Sequence, residues 1–230
     1  MVQICSKIVD FIFMISVHTL TFNAFEENTY VVCDEQKNAV IIDPGCYEDH
    51  EKDYFRSFIS DNNLQVMGLL NTHCHIDHVL GNAMVSRLYN VPLHIYPKEQ
   101  SNLAAVLSYS AAYGFPEYEA IDALTDLSEE QDITFGEMTF KVLWLPGHTA
   151  GHVAFINEKE RICLSGDVLF SGSIGRTDLP GGDYQTLINS IQKKMFKYPD
   201  DLIVYPGHGP STRLEHEKQF NPFCALQKND

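Results

Sequence analysis

Residues 72–78 read Thr-His-Cys-His-Ile-Asp-His, and no other stretch restricts the fold of this chain so tightly. His73, His75, Asp77 and His78 stand close behind an apolar run, residues 66–70, that has the character of a buried strand. On an extended strand end, side chains two apart point the same way, so His73 and His75 face one side and Cys74 the other. From Val79 to about Asn90 the spacing is helical, so the chain must turn between the two elements. That turn brings Asp77 and His78 round to a second position beside the first pair. Neutral imidazoles with a carboxylate are ligands for zinc, iron or manganese. The expectation is a strand that ends on a metal site, with Cys74 packed in the core behind it.

Short apolar strands recur along the chain. Residues 15–25 partly alternate, 29–33 and 39–43 read as strands joined by a turn at 34–38, and Asp43-Pro44-Gly45 closes the last one, with Gly45 free to take a positive φ. Residues 49–62 are expected to be helical, 66–71 a strand, 79–90 a helix, 93–96 a strand and 98–107 a helix. Residues 108–125 are weakly patterned and read as a long excursion or lid. Two hairpins follow, 132–135 with 138–145 and 153–157 with 161–165, then a glycine-rich loop at 168–182 and a helix at 184–196. A strand at 201–205 and a helix at 212–220 complete the pattern. Each half thus runs from strands to helix. Two such halves can bury their sheets against each other and cover the outer faces with helices, giving one four-layer α/β domain.

Composition removes several functions. The formal net charge is −15, which opposes a nucleic-acid footprint, because neutralising phosphates needs clustered Lys and Arg. The apolar stretch at residues 1–13 contains Lys7 and Asp10 and is too short to span a bilayer, and it lacks the layout of a secretory signal. It is read as an extension outside the core, with a single domain over 14–230, and no membrane partner is expected. Six cysteines without CxxC pairs do not form a disulfide framework in a chain of this length, so a reducing cytoplasm is the expected location. Composition is silent on oligomeric state.

Metal-type residues recur at later strand ends: His148 after Pro146-Gly147, Asp167 after Gly166, and His208 after Pro206-Gly207. Glycine beside each lets the backbone approach a crowded site. His152 is read first as a core histidine and second as a hydrogen-bond partner of a ligand. His18, His50, His94 and His216 have no comparable context.

Through Thr-His-Cys-His-Ile-Asp-His at 72–78, Gly-His at 147–148, Gly-Asp at 166–167 and Gly-His at 207–208, the sequence resembles the metallo-β-lactamase superfamily. Within it, residues 147–152, 166–170, 207–212 and 217–223 look like glyoxalase II-type (hydroxyacylglutathione hydrolase-like) enzymes. The resemblance implies an αββα sandwich with its site at one edge, between the sheets. It implies that His73, His75 and His148 hold one metal, that Asp77, His78 and His208 hold a second, and that Asp167 bridges them. Asp43 is either a residue that orients a ligand or simply a turn aspartate. Two divalent ions follow as cofactors, zinc first, with iron or manganese as alternatives.

Such a pair would share a hydroxide as nucleophile, since each ion lowers the pKa of bound water from 15.7 towards ~7. No GxSxG serine elbow is present. A thiolate leaves readily, so hydrolysis of a small-molecule thioester such as S-lactoylglutathione fits, with Asp77 orienting the hydroxide and managing its proton. Arg176 stands where glyoxalase II enzymes have a lysine that meets the glutathione carboxylate. A salt bridge to Asp178 is the other use open to it. Asp178 replaces a family tyrosine, and residues 213–230 are too short for the helical C-terminal domain of the long enzymes, so the resemblance is to the short, single-domain ones. The runner-up is a mononuclear-iron persulfide dioxygenase of the same fold, and the third reading is a non-catalytic metal-binding module.

Overall fold

The computed structural model describes residues 15–226, so the extension expected at residues 1–13 lies outside the described residues. The elements run β1 (Ser16–Phe22), β2 (Glu27–Cys33), β3 (Asn38–Ile42), α1 (Asp49–Asp61), β4 (Gln65–Leu70), α2 (Asn82–Tyr89), β5 (Leu93–Ile95), α3 (Gln100–Tyr109) and β6 (Leu124–Asp126). The second half continues with β7 (Asp132–Phe135), β8 (Met138–Trp144), β9 (Val153–Asn157), β10 (Ile162–Gly166), β11 (Leu169–Phe170) and β12 (Ser173–Ile174). It ends with α4 (Tyr184–Lys193), β13 (Ile203–Pro206), β14 (Thr212–Arg213) and α5 (Leu214–Phe220).

β1 to β6 form one six-stranded sheet in chain order, and a second runs β14-β13-β10-β9-β8-β7. The period of two along each strand separates three cores. Tyr30, Val32, Val40 and Ile42 of the first sheet meet Met138, Phe140, Val142, Phe155 and Leu164 of the second. The alternate residues Val31, Cys33, Ala39 and Ile41 pack against Phe55 and Ile59 of α1, Met84 and Val85 of α2, and Leu103 and Val106 of α3. On the far side Ala154, Ile156, Cys163 and Val204 pack against Leu187, Ile188 and Ile191 of α4. The order of layers is therefore αββα, as expected. β2 and β9 are buried at every position, which explains why residues 30–33 and 153–156 read as continuous apolar runs rather than alternating ones. No helix among the described residues is long and apolar enough to cross a membrane.

Several local expectations are corrected. The helix expected from Val79 begins at Asn82, while the turn expected before it is a 3₁₀ turn at Ile76–His78. Tertiary bonds hold the intervening loop: the Gly81 amide donates to the Pro44 carbonyl at 2.7 Å, and the Asn71 side chain donates to the His78 carbonyl at 2.9 Å. The positive φ in the Asp43-Pro44-Gly45 turn sits on Asp43, at 50°, and not on Gly45. Gly45 is needed for space, since a Cβ there would meet the Asp77 carbonyl oxygen at 2.6 Å. In the excursion expected at 108–125, residues 108–109 close α3, a 3₁₀ turn follows at Ser110–Tyr113, and the end joins the sheet as β6, parallel to β5. β6 is exposed at all three positions, so it carries no apolar signal. The 168–182 loop contains the small β11–β12 hairpin, and Thr212–Arg213 pairs with β13 before α5 starts at Leu214.

Candidate metal centre

All seven expected ligands follow the carboxyl ends of strands. His73, His75, Asp77 and His78 lie on the loop after β4, His148 follows β8, Asp167 follows β10 and His208 follows β13. The two sheets are stitched together at this edge. The Asn28 amide donates to the Gly207 carbonyl at 2.8 Å, and the Tyr30 hydroxyl donates to the Pro206 carbonyl at 2.6 Å. The ligand-bearing loops of both halves therefore open into one space.

Three imidazoles converge first. Nε2 of His148 lies 3.2 Å from Nε2 of His73 and 2.9 Å from Nδ1 of His75. Nδ1 of His148 donates to the Arg176 carbonyl at 2.8 Å, which leaves Nε2 as a lone pair. Thr72 Oγ1 donates to Asp43 Oδ2 at 2.6 Å and so accepts from Nδ1 of His73 at 3.1 Å, which makes Nε2 of His73 a lone pair as well. Two lone pairs facing each other do not form a hydrogen bond. Their separation matches the edge of about 3.3 Å that tetrahedral ligands 2.0–2.1 Å from zinc would have. Burial, reinforced by the neighbouring imidazoles, holds His73 well below its ordinary pKa and brings His75 down to about 4. Both are therefore poised as neutral donors.

The second group is carboxylate-rich. Asp77 Oδ2 lies 3.1 Å from Nε2 of His208 and 3.6 Å from Nε2 of His78. Nδ1 of His208 donates to the Phe25 carbonyl at 3.0 Å, which aims Nε2 inward. Asp167 spans both groups, with Oδ1 3.5 Å from His78 and Oδ2 3.6 Å from both His148 and His208. Burial opposes the charge on Asp167, yet His78, His148 and His208 outweigh it and hold the carboxyl far below its ordinary range. Burial likewise pushes His78 down, but Asp77 and Asp167 overcome this and raise it well above its ordinary value.

Among the described residues Nε2 of His78 and Oδ1 of Asp167 are buried without a hydrogen-bond partner, and they face each other at 3.5 Å across the middle of the site. Orphaned buried polar atoms are rare and need a partner. A cation between them supplies one to each. A Cβ on Gly207 would collide with Asp167 Oδ1, so only glycine leaves this space open. The donor set thus fits two ions: His73, His75 and His148 could hold one, and Asp77, His78 and His208 the other, with Asp167 between them.

The surrounding residues fix these ligands. Asp43 does more than turn the chain, because its Oδ2 accepts from Thr72, which supports His73, and lies 3.3 Å from Nδ1 of His78. One carboxylate thereby reaches a residue of each group, His78 directly and His73 through Thr72. His152 is fully buried, stacks on His73 with ring centroids 4.7 Å apart, and accepts from the Asp167 amide through Nε2 at 3.0 Å. It is thus a core histidine that also accepts a hydrogen bond from the Asp167 backbone. Arg176 lines the cavity mouth, but its guanidinium is engaged by Asp178 through two bonds of 2.8 Å, the alternative contact open to it from sequence.

Sequence reasoning missed two buried carboxylates. Glu27, fully buried, lies 3.9 Å from Nδ1 of His78, and burial raises its carboxyl well above the ordinary range. Glu99, 1% exposed, accepts from the Cys74 amide at 2.8 Å, the Thr149 hydroxyl at 2.6 Å and the Gly151 amide at 2.9 Å. It joins the loop that carries His73 and His75 to the loop that carries His148. The available signal was weak, since both lie among polar residues that look like surface.

The site forms the floor of a cavity of about 770 Å³, where His75, Asp77, His148, Asp167 and His208 are reached from solvent. A family model for the metallo-β-lactamase superfamily matches residues 23–208. Hydroxyacylglutathione hydrolase GloC of Haemophilus influenzae is 36% identical over 210 residues, covering 90% of this chain and 97% of that protein. The crystal structure of the BLEG-1 B3 metallo-β-lactamase superposes with a TM-score of 0.84 at 35% identity, covering 92% of this chain and 100% of that one. TTHA1623, solved in a di-iron-bound form, superposes with a TM-score of 0.77 at 35% identity, covering 90% and 100%.

Proposed function

This chain belongs to the metallo-β-lactamase superfamily, and from that premise we propose that it is a binuclear metal-dependent hydrolase of thioesters, S-lactoylglutathione or a related thiol ester. The observation that carries the reading is the pair of ligand groups sharing Asp167 at the floor of an open cavity. The di-iron form of the TTHA1623 relative supports two ions, and the GloC relative supports the substrate class.

Two bound divalent cations, zinc first and iron or manganese as the alternatives, would supply Lewis acidity for activating water and polarising the carbonyl. The residues of the chain do the rest. Asp77 faces the cavity, and although burial opposes its charge, His78 and His208 hold its carboxyl below the ordinary range. It is therefore ionised at neutral pH, and the carboxylate oxygen not turned to the second group can orient the attacking water and accept its proton. The carbonyl carbon gains that oxygen, the C–S bond breaks, and the sulfur leaves with the electron pair. A thiol with a pKa of about 8.5 departs as thiolate without a general acid. His148 and His208 are held by backbone carbonyls and so do not reorient during the reaction.

Metal analysis combined with release of free thiol from S-lactoylglutathione and simpler thioesters tests this. Two ions per chain with thiol release is the expected result. Less than one ion per chain with no turnover removes the reading. A β-lactam belongs in the same panel because of the BLEG-1 relative. Iron content with oxygen consumption on glutathione persulfide would replace hydrolysis by the dioxygenase alternative.

A further inference from the structure

The cavity above the ligands has a largely aromatic and apolar wall. Its walls carry Phe25, Tyr109, Tyr113, Phe170, Ile174 and Leu179, from the β1–β2 turn, the end of α3 and the 3₁₀ turn after it, and the β11–Pro180 segment. Phe25 is 44% exposed and Tyr113 54% exposed, a placement that packing within the chain does not require. Phe25 is also held in place, since its carbonyl accepts from His208 and its amide donates to Asn23 Oδ1 at 2.9 Å. An apolar surface fixed at the mouth of a reactive site is a preformed contact for substrate.

The charges point the same way. Among the described residues that line the cavity, Arg176 is the one Lys or Arg, and its fork is filled by Asp178. A glutathione thioester carries two carboxylates. Facing this wall, away from the ions at the floor, they would lose hydration without gaining a free Lys or Arg partner, whereas an uncharged apolar group would bury surface favourably.

We propose that the preferred substrates carry an uncharged apolar or aromatic arm in this cavity, rather than the two carboxylates of glutathione. The proposal rests on the hydrolase reading for its chemistry and refines the substrate class. Arg176 and Asp178 act together as a neutral rim, and Asp178 is the residue that withholds the guanidinium from anionic substrates.

Binding and turnover are measured separately on the zinc-loaded protein. Calorimetry compares two non-hydrolysable thioethers, S-benzyl-N-acetylcysteamine and S-methylglutathione. The neutral ligand should bind at least about tenfold more tightly, because ring burial is favourable and unpaired carboxylates are not. Asp178→Asn should narrow that ratio by tightening S-methylglutathione severalfold. Equal or tighter binding of S-methylglutathione by the parent protein overturns the proposal, and so does a ratio unmoved in D178N. Thiol release from the phenylacetyl thioester of N-acetylcysteamine and from S-lactoylglutathione is followed in parallel. Absence of turnover on both, with the binding preference intact, would remove the hydrolase reading and leave the pocket preference standing.

Discussion

The two ligand groups lie side by side yet are made differently. The group of His73, His75 and His148 consists of three imidazoles, with His73 and His148 almost wholly buried. Its electrostatics disfavour protons, as burial and mutual repulsion keep His73 and His75 neutral far into the acidic range. The group of Asp77, His78 and His208 includes a carboxylate, and His208 keeps 27% of its side chain exposed. There burial works against charge, but the carboxylates win, and His78 and His208 hold their protons more tightly than free histidine. One group offers two imidazoles, His73 and His75, already held neutral, whereas the other must give up protons before it can coordinate. The difference means that two ions can be bound with unequal strength by one site.

Asp167 is the point at which the two groups cannot be separated, and removing it should have the largest effect. Asp167→Ala takes away the carboxylate that reaches His78 on one side and His148 and His208 on the other. The expected result is a fall in thioester turnover of about 10³-fold or more, since both charge stabilisation and water activation are lost, with at most one ion retained. Steady-state kinetics with metal analysis on the same samples checks this. A variant with near-parental rate and two ions would show that the groups do not share a bridge.

Acidification should separate the groups. A raised pKa means that the protonated form is favoured, so a proton competes with the metal at His78 and His208 over a wider range. The sign is fixed: affinity of the second group rises as pH rises and falls as pH falls. His75, brought down to about 4, meets little competition until far lower pH. At constant free zinc, the affinity of the second group should drop about tenfold for each proton displaced per pH unit, and occupancy should fall from two ions towards one below neutrality. Equilibrium dialysis across a pH series measures this. Simultaneous loss of both ions would mean that the groups titrate as one.

Asp43 ties a member of each group to the same carboxylate, so its removal asks whether the contrast survives a shared support. Asp43→Asn keeps the volume but weakens the acceptor for Thr72 and for Nδ1 of His78. Metal affinity should fall by about 10–100-fold, the usual range for a partner that orients a ligand. The loss should be greater in the second group, because His78 faces Oδ2 directly while His73 is reached through Thr72. Competition with a chromophoric chelator resolves the two affinities.

The same contrast explains what could be read from the chain. Four ligands crowd into residues 73–78, so local spacing alone pointed to a metal, and the apolar runs of β2, β4, β9 and β10 pointed to buried strands. His148, Asp167 and His208 gain meaning only as a set, through their shared position after glycine at strand ends. Tertiary contacts governed the rest. Val79 to Gly81 has helical spacing but is held as loop by Pro44 and Asn71, and β6 is an exposed edge strand with nothing apolar to mark it. Glu27 and Glu99 were illegible because a buried carboxylate is recognised by its donors, which lie far away in sequence.

Glu99 provides the smallest and most local test, because it concerns how the neutral group is assembled rather than what it binds. Oε1 accepts from Thr149 and Gly151, and Oε2 from the Cys74 amide and the Asn102 side chain at 3.0 Å. In Glu99→Gln one oxygen becomes a donor, so either the His148 loop or the His73–His75 loop must lose its acceptor, whichever way the amide turns. A buried donor left without a partner costs about 1–3 kcal/mol. For a chain of this size that lowers the melting temperature by about 2–4 °C per kcal/mol. The metal-loaded protein should recover much of the loss, since ions bridging His73, His75 and His148 join the same two loops independently. Differential scanning calorimetry of apo and zinc-loaded E99Q measures both. An equal drop in the two forms would mean that Glu99 supports the fold at large and has no special part in bringing the three imidazoles together.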